Sequence, residues 1–336
     1  MTIVFSIETS CDETSVAIVS KKGKILCQIT FNQLEHNKFG GVVPEIASRA
    51  HLQILQKIIP SCFKKANLDI KNIDLFCATC GPGLIGGLLV GSTVAKSMAI
   101  GVNKPFYPIN HLEGHLISTA FNNKPKFPNL TLLLTGGHTQ IYMINKPNEY
   151  KILGETIDDA VGESFDKVAK LIGHNYPGGP EIEKLAFNGN PDAFELPHPL
   201  KNKNTINFSF SGLKTAVSLI VKKQKNINQK FKKDLAASFQ KKIIEILIDR
   251  VKKALKTLEK DAVNVVEIAI VGGVAANEEL RNSFLKMQSI KKYNIIYPPI
   301  KLCGDNAAMI ALACHQKHNS NIKPNYFFNA NPRLII

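Results

Sequence analysis

The sequence predicts an α/β protein of two related lobes, and three observations carry that prediction. Apolar strand-like runs, each followed by a glycine-rich or polar turn and then a helical pattern, recur along the chain. That order layers helices against a sheet and puts function at the strand ends. The opening pattern FSIETSCDETSVAIV is weakly echoed by TLLLTGGHTQIYMI, strand–polar turn–strand in both places. A chain of 336 residues most naturally folds as two coupled domains.

Residues 3–7 and 16–19 read as strands around the polar loop 8–15, with a third strand at 24–31. Pro44 to Ala66 is helical, with Leu52, Leu55, Ile58 and Ile59 as its apolar stripe. IDLFCAT is a buried strand, followed by the glycine loop GPGLIGG and a small-residue helix from Leu88 to Ile100. Another strand-to-helix turn carries FYPINHLEGHLIS, and NNKPKFPN at 122–129 marks a domain junction. After the echo, 158–172 reads as a helix with Asp158 or Asp159 near its start and Phe165, Val168 and Leu171 inward. Residues 234–258 form the longest helical pattern, VVEIAIVGGV is a strand entering a glycine turn, and Asn277 precedes or begins a helix. The last long helix runs from near Asp305 to near His315. The expected lobes are 1–125 with about 300–336, and 126–299 with a helical insertion.

No run is apolar for the length that a bilayer crossing needs, and MTIVFSIETS lacks the features of a signal peptide. Seven cysteines without regular spacing suit reduced thiols in a cytoplasmic protein. Cys77 and Cys80 form a single CxxC inside a strand-like run and read as semi-buried thiols. The formal charge of +15 comes almost entirely from lysine. Much of it is explicable as solvated helix faces, yet it makes a polyanionic partner plausible.

The chemistry concentrates at HLEGH. His111 and His115 are four residues apart and face one way on a helix; Asp305, in LCGDNAAM, supplies a carboxylate that completes an open metal site. This is not the zinc-protease HExxH, because Glu113 points away from the histidine face. Gly136 and Gly137 in LLLTGGHTQ expose backbone N–H groups suited to phosphate or carboxylate oxygens, with His138 and Thr139 adding donors. GPGLIGG and IVGGVAAN offer the same physics, and Asn277 is placed to read a base or ribose. None of these matches the GxGxxG or GxxxxGK[ST] fingerprints. Ser92, Ser211 and Cys11 are nucleophiles in principle, without an elbow or triad around them.

Ten segments together resemble the family of bacterial tRNA N6-adenosine threonylcarbamoyltransferases, once described as O-sialoglycoprotein endopeptidases. They are IETSCDET (7–14), GGVVPEIASRAH (40–51), GPGLIGGLLVG (81–91), INHLEGH (109–115), LLLTGGHTQ (132–140), DDAVGESFDKVAKLIG (158–173), YPGGP (176–180), FSFSGLKT (208–215), VGGVAANEELR (271–281) and CGDNAAMIA (303–311). The resemblance spans essentially the whole chain in order. It implies an actin/Hsp70/sugar-kinase-like (ASKHA) fold, two lobes around a nucleotide cleft. It also implies transfer of threonylcarbamoyl from threonylcarbamoyl-AMP to N6 of adenosine 37, in tRNAs that read codons beginning with A.

On the same ground His111, His115 and Asp305 bind one divalent metal, Fe(2+) or Zn(2+). Leu134, Thr135, Gly136, Gly137, His138, Asp166, Gly179 and Asn277 hold the adenylate, and Glu8 and Asp12 help activity as catalytic acids. ATP is a further possible ligand. The expected partners are tRNA, a paralogous dimer partner (TsaB-like), a small P-loop ATPase (TsaE-like) and a separate enzyme (TsaC-like) that supplies the adenylate. Two positions depart from the family pattern: His198 where arginine is common, and Gly304 where threonine is common. A small-molecule kinase of the same fold and a non-catalytic scaffold are the rival readings. The kinase gives no reason for His111 and His115 to meet Asp305.

Overall fold

The computed structural model describes residues 2–21, 23–33, 35–36, 41–122, 124–291 and 293–336, with only the backbone for 288–291. Gly40 of the segment 40–51 and Asn123 of the expected junction lie outside the described residues. The chain divides into two compact units, Met1–Pro125 with Asp305–Ile336, and Lys126–Gly304.

In the first unit β1 (Ile3–Glu8), β2 (Glu13–Ser20), β3 (Ile25–Asn32), β4 (Leu75–Gly81) and β5 (Phe106–Asn110) form a sheet of order β3-β2-β1-β4-β5. β1 is antiparallel to β2 and parallel to β4, and β5 extends the parallel part. Alternate side chains of β1 serve two cores, as a pleated strand demands. Phe5 and Ile7 pack in the cluster of α1 (Pro44–Ala66) and α2 (Ile85–Gly101), whereas Val4 joins the cluster of α9 (Ala307–Asn319). With both faces covered, β1 and β4 are apolar almost throughout, the pattern of a buried central strand.

The second unit repeats this plan. β6 (Asn129–Leu134), β7 (Thr139–Lys146), β8 (Glu149–Glu155), β9 (Glu267–Val271) and β10 (Asn294–Ile296) lie in the order β10-β9-β6-β7-β8. The β6–β7 pair is antiparallel and the β6–β9 pair parallel, as in the first sheet. The weak sequence echo is therefore a shared topology. Around this sheet stand α4 (Val161–Leu171), α5 (Gly178–Ala186), α6 (Ser211–Lys223), α7 (Gln229–Lys260) and α8 (Glu278–Lys291). Among the described residues no helix is long and apolar enough to cross a membrane.

Leu52, expected in the apolar stripe of α1, is half exposed, and a second expectation also needs correction. The helix expected at 158–172 starts at Val161, and Asp158 does not cap it. The Asp158 carboxylate instead accepts from the hydroxyls of Ser209 (2.6 Å) and Ser211 (2.8 Å) and from the backbone N–H of Phe210 (2.8 Å) and Ser211 (3.3 Å), closing the start of α6. Burial opposes its charge, but these donors prevail and hold its pKa below the ordinary value.

Arg250 of α7 is fully buried and ties down the loop before α6. Its guanidinium donates to the carbonyls of Thr205 and Leu200, each at 2.6 Å, and lies 3.2 Å from Asp249. Arg250→Ala leaves those carbonyls unpaired and removes a large side chain; the expected cost is about 2–4 kcal/mol by urea denaturation. Arg250→Lys should recover less than half, since an ammonium cannot reproduce the planar fork. A loss below about 1 kcal/mol for the alanine variant would refute this account.

Candidate functional site

The candidate metal centre lies wholly within the first unit, at the ends of β1 and β5 and ahead of α9. Asn110, the last residue of β5, caps α3 (His111–Ile117) by accepting from Leu112 N–H at 2.8 Å, so the helix begins directly with His111. The i, i+4 spacing then brings the two imidazoles together at 4.8 Å between centroids, edge to face. Asn306 caps α9 in the same way, which leaves Asp305 in the turn just before it. Asp305 Oδ1 stands 3.0 Å from His115 Nε2 and 3.4 Å from His111 Nε2. One ligand atom from each of the three residues lies within 4.8 Å of the others. Gly114 permits this meeting of helices: a Cβ there would come 2.9 Å from Ile310 and 3.0 Å from Met309 of α9.

Behind the trio is a supporting layer. Glu8 Oε2 lies 3.0 Å from His111 Nδ1, with Ser10 Oγ at 3.2 Å from the same nitrogen. A carboxylate only accepts, so Nδ1 carries a proton toward Glu8, and Nε2, on the Asp305 side, is the nitrogen that would hold a metal once its own proton is lost. Glu8 is itself held by Ser10 N–H (2.6 Å) and by the Thr79 hydroxyl. Asp12 and Glu13 follow in the same turn. Burial, helped by Asp305 and Asp12, pushes Glu13 well above the ordinary carboxylate range. Burial also works against the charge of His111 and Asp305, yet each prevails through its neighbours. Asp305 and Glu8 hold His111 well above its ordinary pKa, and His111 with His115 holds Asp305 well below its own. Two imidazole nitrogens and a carboxylate oxygen, amid further carboxylates, suit a divalent metal with open coordination positions.

The glycine loops fall into two kinds. Those of GPGLIGGLLVG are packing contacts: a Cβ at Gly87 would stand 2.2 Å from Thr9 O, and one at Gly91 2.2 Å from Thr9 Oγ1. They let α2 press on the turn that carries Glu8 and Asp12. In the second unit Gly136, Gly137, Gly179 and Gly273 have open space where a Cβ would be. Thr135 and His138 close the turn around Gly136 and Gly137, Thr135 N–H donating to His138 O and Thr135 Oγ1 accepting from His138 N–H, both at 2.9 Å. Leu134 is buried in the core, so the loop offers its backbone rather than that side chain. Asp166 Oδ1 accepts from Gly178 N–H at 2.6 Å and fixes the turn that exposes Gly179. Asn277 is engaged at both ends, donating to Gln240 (2.8 Å) and accepting from Leu280 N–H (2.9 Å).

The other candidate nucleophiles are quiet. Burial pushes the Cys11 and Cys77 thiols well up and Cys80 up to about 12. Ser92 donates back to Leu88 O in its own helix. His198 is turned to within 3.7 Å of Asp249, and burial holds its pKa below the ordinary value. Sequence reasoning missed the supporting roles of Ser10, although it lies within the segment IETSCDET, and of Thr79, in the strand-like run IDLFCAT.

Residues 24–312 match the family model described as TsaD: tRNA N6-adenosine threonylcarbamoyltransferase. The chain belongs to this family. A relative of that description from Thermosipho africanus is 46% identical over 338 residues, covering 99% of this chain and 100% of its own. Another from a Wolbachia of Brugia malayi is 47% identical, covering 92% and 91%. Among solved structures the chain is similar to HypF of T. kodakarensis, with a TM-score of 0.65 at 13% identity, over 95% of this chain and 48% of that one. It is also similar to component A of the (R)-2-hydroxyglutaryl-CoA dehydratase of Acidaminococcus fermentans, with a TM-score of 0.53 at 14% identity, over 95% and 99%. At such identities the likeness shows the fold alone, the two-lobed ASKHA architecture that the threonylcarbamoyltransferase family shares.

Two outcomes are expected for the metal centre. Glu8→Gln keeps the ligands but loses the carboxylate that orients His111, so metal affinity should fall about 10–100-fold in competition with a chelator; unchanged affinity would exclude the supporting role. The raised pKa of His111 means that a proton competes with the metal. Affinity should therefore weaken as pH falls through and above the ordinary histidine range, with proton release on binding seen as a buffer-dependent heat.

Proposed function

We propose that His111, His115 and Asp305 hold one divalent metal, iron or zinc, and that the open loops of the second unit receive threonylcarbamoyl-AMP. The protein is a transferase that places threonylcarbamoyl on N6 of adenosine 37 of tRNA, the reaction of its family. The observation that carries the assignment of its site is the convergence of two imidazoles and Asp305, with Glu8 fixing one ring.

The adenine N6 is a weak nucleophile, and a carbamic–phosphoric anhydride compensates with AMP as its leaving group. The carbonyl carbon forms a bond to N6 and breaks its bond to the phosphate oxygen, while N6 gives up a proton. When bound, the metal supplies a Lewis acid that holds and polarises donor oxygens. Backbone N–H groups at Gly136 and Gly137 suit the adenylate phosphate, the open space at Gly179 suits the nucleoside, and Asn277 would have to release Gln240 to join it. Glu8 serves as a positioning residue that keeps Nε2 of His111 available. Aligning N6 with the carbonyl accounts for much of the acceleration. Partners in keeping with the family are a paralogous dimer partner, a small P-loop ATPase and a separate enzyme that makes the adenylate.

The test supplies the protein and these partners with unmodified tRNA, threonine, bicarbonate and ATP, then digests the tRNA and weighs its nucleosides. Threonylcarbamoyl-adenosine should form, and should fall more than about 100-fold with His111→Ala or Asp305→Ala. Gly137→Val should instead raise KM for the adenylate about tenfold or more and leave metal content unchanged. No product from a metal-loaded mixture with the adenylate present would sink the reading and direct attention to small-molecule phosphorylation.

A further inference from the structure

Residues 196–233 contain nine lysines and no aspartate or glutamate, so this 38-residue stretch holds nine of the chain's net fifteen positive charges. Compositional bias alone would scatter lysines among carboxylates, as the rest of the chain does. The stretch forms the loop tied down by Arg250, then α6, then the start of α7. α6 buries Leu213 and Val217 and leaves Lys214, Thr215, Leu219, Lys222 and Lys223 exposed. Lys201, Lys203 and Lys230 are exposed beside it in sequence. Among the described residues none of the nine lysines takes part in an ion pair, whereas Lys167, Lys241, Lys242 and Lys253 elsewhere in the same unit do.

We propose that this lysine-rich surface of the second unit, formed by a stretch of chain that contributes no carboxylate of its own, is where the tRNA backbone docks. The inference rests on the transferase reading for the identity of the polyanion. Uncompensated lysines on a helix face repel one another and gain most from a ligand that replaces condensed counterions. Lys214 and Lys222 lie eight residues apart, about 12 Å along the helix axis, a spread suited to tracking a chain of phosphates rather than one anion. A protein partner would need an apolar centre, and α6 shows only Leu219 among its lysines. The surface is also joined to the donor loop within one compact unit. α6 is closed by Asp158, three residues before α4, and Gly162 in the first turn of α4 packs on Thr135 and Gly136.

The experiment compares two variants with equal loss of charge. One carries Lys214→Gln, Lys222→Gln, Lys223→Gln and Lys230→Gln; the other carries Lys24→Gln, Lys57→Gln, Lys151→Gln and Lys323→Gln, all exposed but scattered. Binding of unmodified tRNA is followed by fluorescence anisotropy from 50 to 300 mM salt, and turnover by product mass. The clustered variant should bind about tenfold or more weakly, with its log–log salt slope shallower by about three, and should raise KM for tRNA with kcat and KM for the adenylate unchanged. The scattered variant should lose less than about threefold. Equal losses in the two variants, or a clustered variant that binds tRNA normally but loses the paralogous partner, would overturn the proposal. His111→Ala should abolish turnover and keep tRNA binding. If wild-type protein binds tRNA in this way yet forms no product, the transferase reading fails while the docking surface stands.

Discussion

A carboxylate buried at the end of a central strand has to be satisfied, and much of the first unit is arranged around that requirement. Glu8 closes β1 almost without solvent exposure. Leaving it unpaired would cost several kcal/mol. Its partners come from the next turn through Ser10, from β4 through Thr79 and from α3 through His111. Each bond also fixes an element: the turn lies back on its strand, β4 sits beside β1, and α3 leaves β5 at the angle that turns its imidazoles toward Asp305. The charge that holds the sheet end together is the charge that orients a ligand.

The two units show how one framework is turned to opposite electrostatic ends. In each, a four-residue turn links the first antiparallel pair, 9–12 between β1 and β2 and 135–138 between β6 and β7. The first is flanked by Glu8 and Glu13 and contains Asp12; the second contains two glycines whose surroundings are open. A crowd of carboxylates favours a cation, and unobstructed backbone N–H groups favour an anion. The same topology thus yields an end suited to a cation in one unit and an end suited to phosphate in the other.

Local periodicity made several features legible in the sequence. His111 and His115 share a face because helical spacing says so, and the paired strands announce themselves through apolar runs. What resisted reading was non-local. Asp158 looks like the start of the helix that follows it, yet its hydrogen bonds run to Ser209, Phe210 and Ser211, because Thr156 bridges to Phe208 and brings the two segments together. GPGLIGG and LLLTGGHT look alike as glycine turns. They differ in what stands opposite, Thr9 in the first case and open space in the second. Asn277 reads as a side chain free to meet a nucleoside, whereas Gln240, from a helix far away in sequence, occupies its amide. Glu8 was legible as an acid in the right turn, but its contact with His111 depends on β4 being inserted between β1 and β5.

The first unit is discontinuous: the chain leaves it after Pro125, builds the whole second unit, and returns at Asp305. The third ligand is therefore made 190 residues after His115. At a synthesis rate of about 5–20 residues per second, a nascent chain displays its two histidines for roughly 10–40 s before the carboxylate exists. A chain that ends anywhere in the second unit carries the two histidines of the candidate centre without its carboxylate. The three residues of the candidate centre are therefore together only in a chain completed almost to its last helix.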